Sequence, residues 1–181
     1  MNDNSSSFIR PDQFWHDLGL AAGQNVVHLG CGAGFYLIPA AKIVGMSGKA
    51  VGVDVLVHYL EEVDNRAHRE KLASVVQTIR GNIENPSGST LPKGSMDWVL
   101  AANILHQSDP SKVLAEARRV VSDSGRVVTV GWDTAASPLG PPTASRISKP
   151  QIIDMAKENG LQLDKEFSPS PYHYGLVFTA S

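Results

Sequence analysis

The chain has 181 residues, 42% hydrophobic and 19% charged, with a formal net charge of −2 at neutral pH. That length suits one domain with a real buried core, and the apolar share excludes a disordered chain. The charge balance leaves no whole-chain electrostatic footprint for nucleic acid, and Arg118-Arg119 falls in a helical pattern as a solvated face. The single cysteine, Cys31, excludes an intramolecular disulfide and fits a reducing, cytoplasmic setting. No apolar run reaches the roughly 20 residues of a membrane span, so membrane insertion is not expected. "MNDNSSSFIRP" lacks the basic start and apolar core of a signal peptide. Residues 1–10 read as a flexible polar tail on a single domain of residues 1–181.

The first predicted element is a short helix over 12–18, started by Asp12 after Pro11. Gly23-Gln24-Asn25 is a turn, "NVVHL" a buried strand, and a glycine loop leads into a helix over 35–44 that Gly45 and Gly48 end. "AVGVDV" is a second strand closing on Asp54, followed by an amphipathic helix over 57–72. "VVQTI" is a third strand, "NPSGSTLPKGS" a loop, and "MDWVLAANIL" a fourth strand running into a loop. In "SDPSKVLAEARRVV", Ser108 or Asp109 caps a helix with Pro110 in its first turn, and Asp123-Ser124-Gly125 ends it. "RVVTVGW" is a fifth strand, "SPLGPPTASR" a proline-rich loop, and "KPQIIDMAKENGL" a helix. Two strand-like pieces around Ser168–Pro171 can pair antiparallel. Five strands alternating with helices, then a helix and a hairpin, predict an α/β fold: a doubly wound, mostly parallel seven-stranded sheet with a C-terminal antiparallel hairpin.

In such a sheet ligands sit at the carboxyl ends of the strands, so the loop after the first strand is the place to look. It reads Gly30-Cys31-Gly32-Ala33-Gly34. Glycines there let backbone approach a ligand closely or take positive φ. A dinucleotide fingerprint requires a third glycine where Phe35 stands, so the spacing argues against a nicotinamide-dependent oxidoreductase. Asp54 stands twenty residues past Gly34 at a strand end, where a carboxylate can accept from ribose hydroxyls or cap the next helix.

"VVHLGCGAG", "VGVDV", "IRGNIEN" and "MDWVLAANIL" together resemble the first four motifs of the class I S-adenosylmethionine-dependent methyltransferases, in order and at strand ends. "WD…GPP" and "PYHYGLVF" resemble a small subgroup related to the ubiquinone/menaquinone type. The resemblance implies S-adenosylmethionine as cofactor, with S-adenosylhomocysteine as product. It also implies that Gly30, Gly32 and Gly34 line its methionine and ribose part, with His28 and Cys31 in the same loop. Asp54 would hold the ribose, Val55 pack on the adenine, Asn82 and Ile83 meet its edge and face, and Asn103 face the methionine end beside Ile104 and His106. Two positions depart from the family pattern. His28 stands where an acid usually precedes the glycines, which predicts weaker or pH-dependent cofactor binding. Asn82 replaces an aspartate, a mild change because the amide oxygen still accepts.

A methyl group on a sulfonium is already activated, so most of the enzyme's work is orientation. His106 is the candidate base, against a residue bonded to backbone; Asp133 is the candidate group for a substrate cation, against a loop cap. Trp132, Tyr172 and Tyr174, with Leu139 and His173, are candidate substrate contacts, against core packing. Phe8 and Trp15 are candidates for a lid. Cys31 reads as a small side chain between glycines. The six histidines show no paired spacing of the kind zinc sites use, so no metal is expected. The leading expectation is methyl transfer to a small-molecule acceptor, by a monomer or homodimer without nucleic acid. A cofactor-binding protein with little or no turnover is the alternative.

Overall fold

The computed structural model describes residues 9–135, 137 and 139–181. The tail and Phe8 therefore lie, up to residue 8, outside the described residues. The described elements are α1 (Pro11–Leu18), β1 (Asn25–Leu29), α2 (Leu37–Val44), β2 (Lys49–Asp54), α3 (Val57–Arg69), β3 (Val76–Arg80), β4 (Met96–Ala102), α4 (Pro110–Val120), β5 (Val121–Trp132), α5 (Lys149–Glu158), β6 (Leu161–Ser170) and β7 (His173–Ala180). The strands form one seven-stranded sheet in the order β3-β2-β1-β4-β5-β7-β6. β1 to β5 pair in parallel; β7 runs antiparallel to both β5 and β6. The expected fold class is the one observed.

Side chains alternate across this sheet because successive strand residues point to opposite faces. Val26 of β1 joins a core with Trp15, Leu37, Ile38 and Val63 of α1–α3; Val27 and Leu29 join one with Val113, Leu114 and Ile152 of α4 and α5. The sheet is thus covered on both faces, which explains the nearly unbroken burial of β1 and β4. Trp15 is fully buried, and its indole N–H donates to the Tyr36 carbonyl at 2.8 Å, fixing α1 on α2. Among the described residues no helix is long and apolar enough to cross a membrane.

Two departures from the expected elements have local causes. β5 starts at Val121 rather than Arg126, so Asp123-Ser124-Gly125 stays within the strand. The ladder with β4 shifts register between Met96 and Trp98, and a Cβ at Gly125 would lie 2.8 Å from the Asp97 carbonyl; only glycine fits this irregularity. β6 runs on through Ser168-Pro169, leaving Pro171-Tyr172 as the turn. β6 is the outermost strand, where a missing N–H costs no ladder bond, and the register shifts there. The crossover from β3 to β4 carries no helix, although parallel connections usually do.

Trp15→Ala removes the packing between α1 and α2 and leaves the Tyr36 carbonyl without its donor. Urea denaturation is expected to register a loss of about 3–5 kcal/mol, and a loss below 1 kcal/mol would contradict this account.

Candidate cofactor and active site

From β1 the chain leaves towards β2 and β3 on one side, and from β4 towards β5 on the other, so a crevice opens between the carboxyl ends of β1 and β4. The glycine loop fills its edge. Gly30, Gly32 and Gly34 take φ of +72°, +50° and +81°, conformations that side chains resist. A Cβ at Gly30 would also lie 2.8 Å from Ile104 Cγ1, and one at Gly34 3.0 Å from Val63 Cγ2. The loop is tied to β2: the Gly30 and Cys31 N–H groups donate to the Val53 carbonyl at 2.8 and 3.0 Å. The Gly32 N–H donates to the Asp54 carboxylate at 2.9 Å, whose second oxygen accepts from the Leu56 N–H at 3.0 Å. Asp54 therefore braces the loop and starts α3 while facing the crevice.

A cavity of about 540 Å³ lies here. It is lined at the end of β1 by Gly30, Gly32 and Ala33; of β2 by Val53, Asp54, Val55 and Leu56; of β3 by Gly81, Asn82, Ile83 and Glu84; and of β4 by Ala102, Asn103 and Ile104. Tyr59, Gln107 and Ser108 complete the wall. Of the ten residues expected to hold a cofactor, Gly30, Gly32, Asp54, Val55, Asn82, Ile83 and Asn103 line it; His28, Cys31 and Gly34 do not. Asn103 is held in the left-handed region at φ 56°. Its N–H donates to the Val130 carbonyl and its carbonyl accepts from Gln107, whereas its buried Oδ1 has no partner among the described residues. The Asn82 Oδ1 accepts from the Glu84 N–H at 2.9 Å, and the Glu84 carboxylate accepts from the Asp109 N–H at 2.6 Å. Sequence reasoning missed Glu84; its place three residues past Gly81 at a strand end was the available signal.

His28 is corrected by its surroundings. Its side chain points from β1 under α2, only 3% exposed, with its ring edge-on to Tyr36 at 5.6 Å. Both ring nitrogens and the Tyr36 hydroxyl lack partners among the described residues. Burial pushes the imidazole pKa down to about 3, so the ring is neutral throughout the pH range 6–8 and supplies no titration there. Cys31 is equally inert: burial, then the Asp54 charge, pushes its thiol up to about 12.

The catalytic and substrate candidates gather elsewhere. None of His106, Asp133, Trp132, Tyr172 and Tyr174 lines the 540 Å³ cavity. His106, its pKa lowered by burial, borders a separate crevice of about 10 Å³ with Trp132, Arg146 and Tyr174. Asp133 caps its own loop: its carboxylate accepts from the Ala135 N–H and its N–H donates to the Tyr172 carbonyl, both at 2.8 Å. Tyr174 turns into the α4–α5 core, where its hydroxyl donates to the Ile147 carbonyl at 2.7 Å and burial raises its pKa to about 12. Trp132 packs against His173 with ring centroids 4.0 Å apart and the rings tilted by 41°. Arg146, which sequence reasoning missed, lies over Trp132 and donates to the carbonyls of Asp133, Ala135, Leu139 and Pro141. It staples the loop after β5, and a lone arginine in a proline-rich stretch carries no signal of that. Among the described residues no group of three or more potential ligand side chains forms a metal site.

A family model described as a methyltransferase domain matches residues 20–162, from before the glycine loop to the start of β6. The chain belongs to this methyltransferase family. The ribosomal protein L11 methyltransferase of Neisseria meningitidis is 34% identical over 128 residues, 70% of this chain and 39% of that protein. The demethylmenaquinone methyltransferase of Lactococcus lactis is 30% identical over 125 residues, 67% of this chain and 47% of that protein. The methyltransferase chain thus spans less than half the length of these curated relatives. A SAM-dependent methyltransferase structure from Aquifex aeolicus superposes with a TM-score of 0.88, covering 99% of this chain and 94% of that one at 23% identity, which establishes the fold. The family match sets aside the nicotinamide reading.

The buried ring of His28 has a stability signature. An unfolded histidine takes up a proton near pH 6.5, whereas this ring does so only near 3. Above pH 6.5 its contribution is fully present; as pH falls below that, the unfolded chain binds the extra proton and folding weakens by up to about 1.4 kcal/mol per pH unit. Urea titrations of wild type and His28→Leu between pH 7 and 4.5 are expected to differ in slope by about one proton. Parallel curves would mean that the ring titrates normally.

Proposed function

We propose that this chain transfers the methyl group of S-adenosylmethionine to a small-molecule acceptor, releasing S-adenosylhomocysteine. The observation that carries this reading is the cavity at the β1–β4 crevice, which gathers three strand-end features of the chain: left-handed Gly30 and Gly32, the Asp54 carboxylate, and left-handed Asn103. Its size lies within the ~300–1,000 Å³ usual for small-ligand sites. Asp54 would take the ribose hydroxyls, Asn82 and Ile83 the adenine with Val55 against its face, and Asn103 the methionine end. When bound, the cofactor supplies an activated methyl on a sulfonium. The chain's own part is to fix that methyl in line with the acceptor, through the clamped glycine loop and the rigid Asn103 backbone.

The acceptor side would be the loop after β4 and the stapled loop after β5, with Trp132, Tyr172 and His173 at its edge. That wall and the net charge of −2 favour a small molecule over nucleic acid as the acceptor. One observation favours a second reading, cofactor binding with little or no turnover: His106, the candidate base, does not line the cavity, and neither does Asp133. Such a base is dispensable only for a nucleophile that carries no proton at working pH.

Calorimetry with S-adenosylmethionine tests the reading. Binding is expected, flat between pH 6 and 8, and weakened at least tenfold in Asp54→Ala, which loses both the ribose acceptor and the Gly32 brace. Absence of binding by the wild type would overturn the proposal. Release of S-adenosylhomocysteine with a pool of small phenols, thiols and amines, or its failure, separates the two readings.

A further inference from the structure

The crossover from β3 to β4 has an unusual task. It lacks the helix that normally packs such a connection onto the sheet, yet its first residues, Gly81 to Glu84, are one wall of the cavity. Its own winding is tight. Ser87 and Thr90 sit in the left-handed region at φ 56° and 57°, and a Cβ on Gly88 would lie 1.8 Å from the Asn82 carbonyl oxygen. Non-glycine residues hold such conformations only where surrounding contacts over-determine them.

Those contacts come from α4. Glu116 and Arg119, one helical turn apart, form a two-pronged ion pair: Arg119 Nε donates to Glu116 Oε2 and Nη2 to Oε1, both at 2.7 Å. Glu116 is 3% exposed and Ser89 fully buried. The Glu116 Oε1 accepts from both the N–H and the hydroxyl of Ser89. Arg119 Nη2 donates to the same hydroxyl, and Nη1 donates to the Leu91 carbonyl at 2.7 Å. The pair thus spends its hydrogen bonds on loop backbone and on Ser89. A buried ion pair gains little stability over an apolar pair of the same shape, because both charges lose their hydration; what it supplies is a fixed geometry. From Ser89 the fixation passes back through Gly88, packed on Asn82, and through the Asn85 N–H to the Asn82 carbonyl at 3.0 Å.

We propose that Ser89, Glu116 and Arg119 are positioning residues that hold the Asn82–Glu84 wall in place from the far side of the loop, and so set the affinity for the nucleoside end of the cofactor. The ligand part of this inference rests on the function proposed above; the loop-ordering part does not. Ser89→Ala removes the two hydroxyl bonds between loop and helix, to Glu116 and from Arg119, while leaving the Glu116–Arg119 pair and the bonds of the Ser89 N–H and the Leu91 carbonyl in place. Two measurements read it. Amide hydrogen exchange of the ligand-free protein is expected to speed up across residues 81–91 while the strands stay protected. Calorimetry is expected to show S-adenosylhomocysteine bound about tenfold more weakly. Arg119→Lys, which keeps the charge but not the fork, is expected to reproduce both effects more mildly. Unchanged exchange in 81–91, or unchanged affinity with only a lower Tm, would overturn the inference. Failure of the wild type to bind S-adenosylhomocysteine would instead sink the proposed function, and the exchange result would still decide whether these residues order the loop.

Discussion

Everything at the site depends on β1 being flanked by two parallel neighbours whose onward connections run in opposite directions. β2 and β4 both bond to β1, but the chain continues from β2 to the β3 edge and from β4 to the β5 side. No connection covers the gap between β1 and β4, so that gap is where backbone groups at strand ends face a ligand. The glycine loop must then turn sharply beside Ile104 without a Cβ, and Asp54 reaches across from β2 to hold it. The cavity is the consequence of strand order, and most of the residues that line it stand at or just after the ends of β1 to β4.

The same arrangement divides the polar chemistry into two kinds. Some groups hold backbone in place: Asp54 between Gly32 and Leu56, Glu84 on Asp109, Arg146 on four carbonyls, and Glu116 on Ser89. Other buried side chains, those of His28, Tyr36, Asn103, Ser122, Thr129 and His173, carry unpartnered atoms among the described residues. A buried polar atom without a partner costs roughly 1–3 kcal/mol, and of these residues only Asn103 lines the cavity. His28 makes the arrangement chemically distinct. Its neutral ring keeps negative charge out of the region beneath the glycine loop, leaving Asp54 as the carboxylate on the cavity wall nearest that loop.

Most of the architecture was legible in the sequence because the strands are buried on both faces and the helices on one. Continuous apolar runs such as "NVVHL" and the striped α3 leave little doubt about type. The errors fall where tertiary contacts overrule local signals. Asp123-Ser124-Gly125 looks like a helix terminator followed by a loop, yet a strand irregularity absorbs it. Ser168-Pro169 looks like a turn, yet an outermost strand tolerates it.

For the site, the sequence by itself determined the strand-end residues, Gly30, Gly32, Asp54, Asn82 and Asn103, because position after a strand is a one-dimensional property in this fold. It also fixed that three glycines, and no third glycine at Phe35, shape the loop. Only the tertiary structure decided which way side chains point. It turned His28 under α2, sent His106 and Tyr174 away from the cavity, and brought Arg146 and Glu116 to loops 13 and 27 residues distant in sequence. Those outcomes depend on packing between elements remote along the chain, and no local pattern of residue types encodes them.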